Sequence, residues 1–195
     1  MDDIVKQAMA KWPNVPDCYG WLALDARGAW RMRDERAQHL NLPGDKVTQA
    51  ALLAFINRNY EVDSRGCWFF QNGPQRVFLN LEATPYIART DPLQGLTVQT
   101  GEALAPQAAY LTETGSLIVS AGTIVAQVDD RDVVQLLAAM QLDGKPAGDD
   151  ALLGWIEGAP GRLTVTIGTS ELEVERVAGS EVASRFGFIR LPQPD

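Results

Sequence analysis

Alternating apolar and polar positions define the clearest element of the chain, a hairpin over residues 67–82. After residue 75 the pattern repeats every two residues, which is typical of a strand with one face in a core. The predicted inward set is Val77, Leu79 and Leu81, and the opposite set is Arg76, Phe78 and Asn80. The turn at residues 71–74 contains Asn-Gly, which tolerates the positive φ angles of tight hairpins. Because an isolated hairpin is marginally stable, we expect a larger sheet around it.

The rest of the chain predicts many short strands and few helices. Helical spacing appears at residues 4–12 as a docked N-terminal arm, at 48–59 with Thr48 as cap, and at 131–140 with Asp129 or Asp130 as cap. Strands are predicted at 20–24, 29–32, 96–100, 109–111, 117–119, 124–127, 152–157, 162–167, 172–177 and 186–191. This pattern favours an α+β fold of mostly antiparallel sheet, with helices on one side or end.

A turn-rich segment at residues 90–95 is the predicted domain boundary, which gives domains of 1–92 and 93–195. The hairpin at 70–81 aligns with residues 155–167, and the helix carrying Leu52 aligns with the one carrying Leu136. The sequence therefore predicts two related hairpin-helix-hairpin subdomains. One continuous α+β sheet is the alternative interpretation.

Composition narrows the range of partners. The formal net charge of -8 disfavours nucleic acid and acidic membrane surfaces. Apolar runs are far shorter than the ~20 residues of a membrane-spanning helix. The first residues carry two acids where a signal peptide is basic, so we expect a cytoplasmic protein. The two cysteines, Cys18 and Cys67, form no CxxC pair and indicate neither a zinc site nor a disulfide framework.

Motifs for nucleotide binding, hydrolysis or metalloprotease activity are absent from the sequence. The single histidine, His39, falls in a predicted polar linker and is interpreted as a solvated side chain. The acids at 129–132 are explained by helix capping, and Asp149 with Asp150 by an acidic turn. We therefore predict no metal, no cofactor and no catalytic residue, and the chain is more typical of a non-enzyme than of an enzyme.

The candidate binding site is the polar end and outer face of the central hairpin. Its residues are Asn72, Arg76, Phe78 and Asn80. An arginine beside an aromatic ring suits recognition of a carboxylate, a phosphate or an acidic side chain of a partner protein. The alternative is a face covered by another part of the same chain, with Arg76 in an internal ion pair. Three tryptophans on the hairpin strands are predicted to lie in the core: Trp21, Trp30 and Trp68.

Several short segments resemble known families. They are Gly20-Trp21-Leu22, Asp25-xx-Gly28-x-Trp30, Phe55-Ile56-Asn57-Arg58-Asn59-Tyr60, Asp63-xx-Gly66, Phe69 to Val77, and Leu81-Glu82-x-Thr84-Pro85. This combination resembles uncharacterised proteobacterial protein families. It is more distantly similar to another uncharacterised bacterial family, built from two repeated α+β subdomains, for which a role in signal transduction has been suggested. The resemblance covers residues 19–91 well, and it implies an architecture but no catalytic residue.

Three hypotheses about function follow. The first is a non-enzymatic binding module, with a role in signal transduction implied by the resemblance, that receives a small anionic ligand or a protein segment near Arg76. The second is an enzyme of unrecognised class that uses Asp or Glu with Arg. The third is a structural subunit that forms a homodimer through exposed strand edges of the second half.

Overall fold

The structure is a computed structural model and describes residues 1–194. These residues form six helices and sixteen strands. The helices are α1 (Asp3–Lys11), α2 (Glu35–His39), α3 (Ala50–Arg58), α4 (Asp130–Ala138), α5 (Asp149–Ile156) and α6 (Val182–Phe186). The strands are β1 (Cys18–Leu24), β2 (Trp30–Met32), β3 (Asp45–Lys46), β4 (Tyr60–Val62), β5 (Trp68–Asn72), β6 (Gln75–Leu81), β7 (Tyr86–Asp91), β8 (Gly95–Val98), β9 (Ala103–Leu104), β10 (Ala108–Leu111), β11 (Leu117–Ala121), β12 (Ile124–Val128), β13 (Gln141–Leu142), β14 (Lys145–Pro146), β15 (Leu163–Ile167) and β16 (Ser170–Arg176). The predicted α+β class with mostly antiparallel sheet is confirmed.

The chain divides into two compact units. Unit 1 comprises Met1–Pro85 and the C-terminal segment from Gly187, and unit 2 comprises Tyr86–Phe186. Strand β7 thus pairs within the second sheet, although the sequence interpretation placed residues 86–91 before the boundary. The predicted domains of 1–92 and 93–195 stay a prediction.

Unit 1 contains a six-stranded sheet in the order β3-β2-β1-β6-β5-β4. Neighbouring strands are antiparallel except β1 and β6, which are parallel. The central hairpin forms as predicted, with Asn72 opposite Gln75 and Gly73 at φ +58°. Glycine fits this turn because it adopts positive φ without a steric penalty.

One face of this sheet packs against α3. Phe70 meets Phe55 edge to face at 5.4 Å, and the Trp30 indole N–H donates to Asn57 Oδ1 at 2.8 Å. The inward set predicted on β6 is buried, with Leu79 fully inaccessible. The helix begins after Gln49, so the predicted cap at Thr48 is wrong. Trp30 and Trp68 lie in the core as predicted, whereas Trp21 is 41% exposed, which corrects that prediction.

The C-terminal segment lies beside the turn at Gly66. Residues 186–191 were predicted as a strand, but α6 ends at Phe186 and the described part of the segment forms one isolated parallel bridge, Cys67 with Ile189. At Gly66, with φ +82°, a Cβ would lie 2.1 Å from the carbonyl oxygen of Gly187. This turn therefore requires glycine twice over, for its backbone angle and for the close approach of the segment.

Unit 2 contains a ten-stranded sheet in the order β14-β13-β15-β16-β10-β11-β12-β7-β8-β9. Its core includes Leu96, Leu117, Val119 and Met140. Helix α4 begins where predicted, because the Asp129 side chain accepts from the Arg131 backbone N–H. Residues 152–157 were predicted as a strand, but residues 149–156 form α5. Its first turn carries two acids, which suit the positive end of the helix dipole, and its buried face carries Trp155.

Six adjacent strands of the second sheet repeat the order and directions of the first. The series β12-β11-β10-β16-β15-β13 matches β3-β2-β1-β6-β5-β4, with the one parallel pair at the same place. The predicted alignment of residues 70–81 with 155–167 is wrong, since residues 155 and 156 are helical. By strand order, β5 and β6 correspond to β15 and β16. An internal repeat of the sequence stays a prediction.

The longest helices have nine residues. Within residues 1–194, no helix combines the length and apolar character needed to cross a membrane.

Candidate functional site

The site predicted around Arg76 borders a groove in unit 1. The groove has a volume of about 590 Å³. Its two walls come from the segment after α1 and from the β5–β6 hairpin, and it is lined by Met9, residues 12–17, Gln71, Pro74 and Arg76. We call this cavity the arm groove.

The N-terminal arm is attached to the sheet at both of its ends, as its predicted docking requires. Near its start, the Asp2 N–H donates to Asn59 Oδ1 at 2.8 Å, and the Asp2 carboxylate accepts from Arg58 at 3.1 Å. Val5, on helix α1, is buried. Near its end, Gln75 Nε2 donates to the Pro16 carbonyl at 3.0 Å. The arm wall of the groove is therefore fixed by several contacts of different kinds.

Arg76 presents its guanidinium group on the other wall. The side chain is exposed, and its Cζ lies 4.9 Å from the centre of the Phe69 ring. No carboxylate within residues 1–194 forms an ion pair with it, so the internal ion pair considered from the sequence is absent from the described chain. The ring stacking restricts the side chain while leaving its N–H donors available to an anion.

An aromatic layer formed by Phe69, Phe78 and Tyr19 lies beneath Arg76. Phe69 lies 5.6 Å from Phe78, and Phe78 stacks on Tyr19 of β1 with ring centres 4.8 Å apart and planes 7° from parallel. Arg65 lies over the Phe78 ring at 5.6 Å. This aromatic layer makes the outer face of the sheet apolar beneath the side chains of Arg65 and Arg76.

Arg65 is held by Asp63 at 3.0 Å, which distinguishes it from Arg76. Burial alone would raise the pKa of the Asp63 carboxyl group. Hydrogen bonds from the Cys67 N–H and from Arg65 outweigh that effect and hold the pKa below its ordinary value. Arg65 is therefore neutralised locally, and the two arginines of this face are not equivalent.

The structure separates the four predicted site residues. Arg76 lines the arm groove, and Asn72 is exposed at the hairpin turn. Phe78 is only 1% exposed because Tyr19 covers it, so the expectation of a large aromatic among polar groups is corrected. Asn80 borders a different cavity, of about 350 Å³, together with Arg33 and Glu82. A binding role for these residues stays a prediction.

Gln71 is a site residue that the sequence reasoning missed. Its side chain lines the groove and is 1% exposed. Nε2 donates to the Gly73 carbonyl at 2.9 Å, which fixes the orientation of the amide, because a flipped amide would place two oxygens together. Oε1 accepts no hydrogen bond from any residue of the described chain. The available signal was a lone glutamine directly after the apolar run Trp68-Phe69-Phe70.

The other candidate chemistry lies away from the groove. His39 is exposed as expected, but it ends helix α2 and does not sit in a loop. In unit 2, the Asp132 carboxylate accepts from Arg89 Nε at 2.6 Å and from the Thr90 N–H at 2.9 Å. The fully buried Asp129 accepts from Arg131. Both carboxylates therefore already accept hydrogen bonds from neighbouring residues of the protein.

The two carboxyl groups are strongly biased towards the ionised form. The hydrogen bond from Arg131 holds the pKa of Asp129 far below its ordinary value, and the hydrogen bond from Arg89 lowers the pKa of Asp132. Such groups are poor general bases at neutral pH. Within residues 1–194, no three His, Cys, Asp or Glu side chains are grouped as a metal site would require.

Comparison with known proteins places the chain in a family. The model of the family described as "Protein of unknown function (DUF2946)" matches residues 1–193. The chain belongs to this family. No curated protein matches it significantly.

One solved structure shares the fold of this DUF2946 protein. It is a DUF1285 family protein from Silicibacter pomeroyi DSS-3, which superposes with a TM-score of 0.51 at 11% sequence identity. The match covers 84% of this chain and 85% of that one. The resemblance to a family of unknown function is thus confirmed, and the likeness to the solved structure covers most of both chains. At this identity the comparison establishes the fold alone.

Proposed function

We propose that this protein is a non-enzymatic binding module and that the arm groove receives an anionic group on Arg76. The observation that carries the proposal is the exposed guanidinium group, stacked on Phe69 without a carboxylate partner in the described chain. The ligand is a small anion or a protein segment that carries one. A role in signal transduction would rest on such binding, with occupancy of the groove as the signal.

Physical chemistry supports Arg76 as the anion-binding group. Guanidinium groups form paired, charge-assisted hydrogen bonds with carboxylates and phosphates. The stacking on Phe69 reduces the conformational entropy that the side chain would lose on binding. The arm groove, at about 590 Å³, has the size of cavities that bind small molecules or short segments.

Native mass spectrometry of the protein purified from its own host tests the proposal. We expect an added mass that is removed by mild denaturation and that the Arg76→Ala variant does not retain. Arg65→Ala is the matched control, because it also removes an arginine stacked on the aromatic layer but one that Asp63 already neutralises.

Native mass spectrometry and an activity assay together separate the alternatives. Equal retention of the added mass by Arg76→Ala and wild type would contradict the site. A dimer without added mass would favour a structural subunit, and turnover lost on substitution of an Asp or Glu would favour an enzyme.

A further inference from the structure

The second cavity of unit 1, of about 350 Å³, lies on the outer face of the sheet next to the aromatic layer. Its floor crosses three strands, because Ala23 of β1 pairs with Arg31 of β2 on one side and with Asn80 of β6 on the other. Paired residues of neighbouring strands project to the same face, and the small alanine side chain leaves a depression between the two longer ones. We call this space the Arg33 cavity. It is lined by residues 23–25, Arg31, Arg33, residues 41–43, residues 80–82 and Leu191.

Arg33 brings a buried positive charge to this cavity, since the residue is only 7% exposed. Its Nε donates to the Leu42 carbonyl at 3.1 Å, and Nη2 donates to Asn41 Oδ1 at 3.3 Å and to the Ala37 carbonyl at 3.4 Å. Within residues 1–194 no carboxylate forms an ion pair with Arg33. Nη1 donates to no residue of the described chain and is not shielded from solvent. A buried guanidinium group that no acid neutralises is stabilised by an anionic ligand.

Glu82 brings an unpaired negative charge to the β6 side of the same cavity. Its Oε2 accepts from the Ala26 N–H at 2.9 Å, and no basic side chain within residues 1–194 forms an ion pair with it. The other two charged lining residues, Asp25 and Arg31, pair with each other at 2.8 Å. The cavity therefore keeps one unpaired charge of each sign.

The surroundings of the cavity preserve this balance. Two charged residues adjoin the lining in sequence, and they have opposite signs: Asp34 follows Arg33, and Arg190 precedes Leu191. The rim also carries apolar surface, because Leu42 and Leu191 are both exposed. The complementary ligand is therefore neutral overall and partly apolar.

A ligand with one carboxylate and one ammonium group satisfies both unpaired charges. A simple anion would leave the Glu82 carboxylate without a partner and be repelled by it, and a simple cation would have the same fault with respect to Arg33. The volume of about 350 Å³ lies at the small end of ligand cavities, which suits a molecule with the size of an amino acid or a dipeptide.

We propose that the Arg33 cavity binds a small zwitterion, an amino acid or a dipeptide with an apolar side chain. The carboxylate of the ligand accepts from Arg33 Nη1, and its ammonium group pairs with Glu82. Its apolar side chain contacts Leu42 and Leu191. This site is separate from the arm groove, so the inference goes beyond the proposed function.

Isothermal titration calorimetry of the full chain tests the inference with the apolar amino acids and with dipeptides of alanine and leucine. We expect at least one of these compounds to bind saturably. Its N-acetyl form lacks the ammonium group and its methyl ester lacks the carboxylate, so each should bind at least about tenfold more weakly. Binding of dipeptides alone, or of amino acids alone, would identify which of the two the cavity takes. If no compound binds, or if either blocked form binds as tightly as its parent, the inference is wrong.

Two variants assign the binding to this cavity. Glu82→Gln keeps an oxygen for the Ala26 N–H but removes the charge, so it should weaken the parent ligand about tenfold and leave the N-acetyl form unchanged. Glu157→Gln, at an exposed position of unit 2, is the matched control and should change neither. Ala23→Leu fills the floor and should abolish binding while circular dichroism shows a retained fold. Unchanged affinity in both cavity variants would overturn the assignment.

Arg76→Ala separates this inference from the proposed function. The variant should bind the zwitterion as wild type does, because Arg76 lines the arm groove and not the Arg33 cavity. If Arg76→Ala weakens binding and Glu82→Gln does not, the compound occupies the arm groove and the present inference is wrong. Loss of the native added mass with retained zwitterion binding would contradict the proposed function alone.

Discussion

The two hairpins β5–β6 and β15–β16 occupy the same position in sheets of matching strand order, yet their outer faces differ completely. Both turn at a glycine with positive φ, Gly73 at 58° and Gly168 at 60°. Counting from these glycines, Arg76, Phe78 and Asn80 correspond to Glu171, Glu173 and Glu175. The first strand presents a stacked arginine and a buried ring, and the second presents three exposed acids.

The environments of these faces explain the difference. In unit 1, Tyr19 covers Phe78, and the N-terminal arm borders the turn. In unit 2, Glu173 and Glu175 are paired with Arg162 and Arg185 at the surface. The same backbone arrangement therefore supports a groove in one unit and a solvated charged surface in the other. Strand topology sets where the hairpins lie, and the side chains decide whether a groove forms beside them.

The largest expected effect comes from truncating the corresponding central residues. Phe78→Ala should lower the free energy of unfolding by about 3–5 kcal/mol, because it removes a buried ring from the aromatic layer. Glu173→Ala should change it by less than about 1 kcal/mol, since its ion pair with Arg162 is exposed. Urea denaturation of both variants measures the difference. Similar losses at the two positions would show that the faces are not as different as their burial indicates.

The buried acid of unit 2 should have the next largest effect. Asp129→Ala removes a helix cap and leaves Arg131 without its partner, so we expect a loss of about 3 kcal/mol. Asp149→Ala, in the exposed first turn of α5, is the control and should cost less than about 1 kcal/mol. A cost for Asp129→Ala no greater than for Asp149→Ala would mean that the buried ion pair contributes nothing net.

The pH dependence of stability should follow from Asp132. Its pKa is lower in the folded than in the unfolded protein, so the unfolded state binds more protons in acid and the stabilisation is lost as pH falls. We expect Asp132→Asn to be less stable than wild type at pH 7, with the difference shrinking below about pH 4, near the unfolded pKa of an aspartate. Denaturation curves from pH 7 to pH 3 measure it. A difference that is constant with pH would contradict the assignment.

The smallest expected effect on stability belongs to Arg76→Ala. The variant loses only an exposed contact with Phe69, which contributes about 0.5–1 kcal/mol. Circular dichroism should show an unchanged fold, while ligand binding is lost. If the variant is unfolded, Arg76 is instead a residue that unit 1 requires for its stability.

The sequence allowed prediction of most of the local structure because local patterns carry it. The inward set on β6, the Asn-Gly turn and the Asp129 cap each follow from neighbouring residues, and all three appear as expected. The segment at 152–157 was mistaken for a strand because a short apolar run fits both periods. Its helical character depends on the acids before it and on the burial of Trp155 against the second core.

Only part of the candidate site could be predicted from the sequence. Arg76 follows from the strand pattern, but the position of Phe78 depends on Tyr19, which is 59 residues away in sequence and reaches it through the parallel pairing of β1 and β6. Gln71 lines the arm groove only because residues 12–17, which are distant in sequence, lie beside the hairpin.

The sequence by itself determined the class of fold, the two hairpins β1–β2 and β5–β6 of unit 1 and the start of helix α4, since these depend on interactions within a few residues. Tertiary structure alone decided strand order, the burial of Phe78 and the arm groove. Those features arise from contacts between distant segments, whose free energy no local pattern of residues encodes.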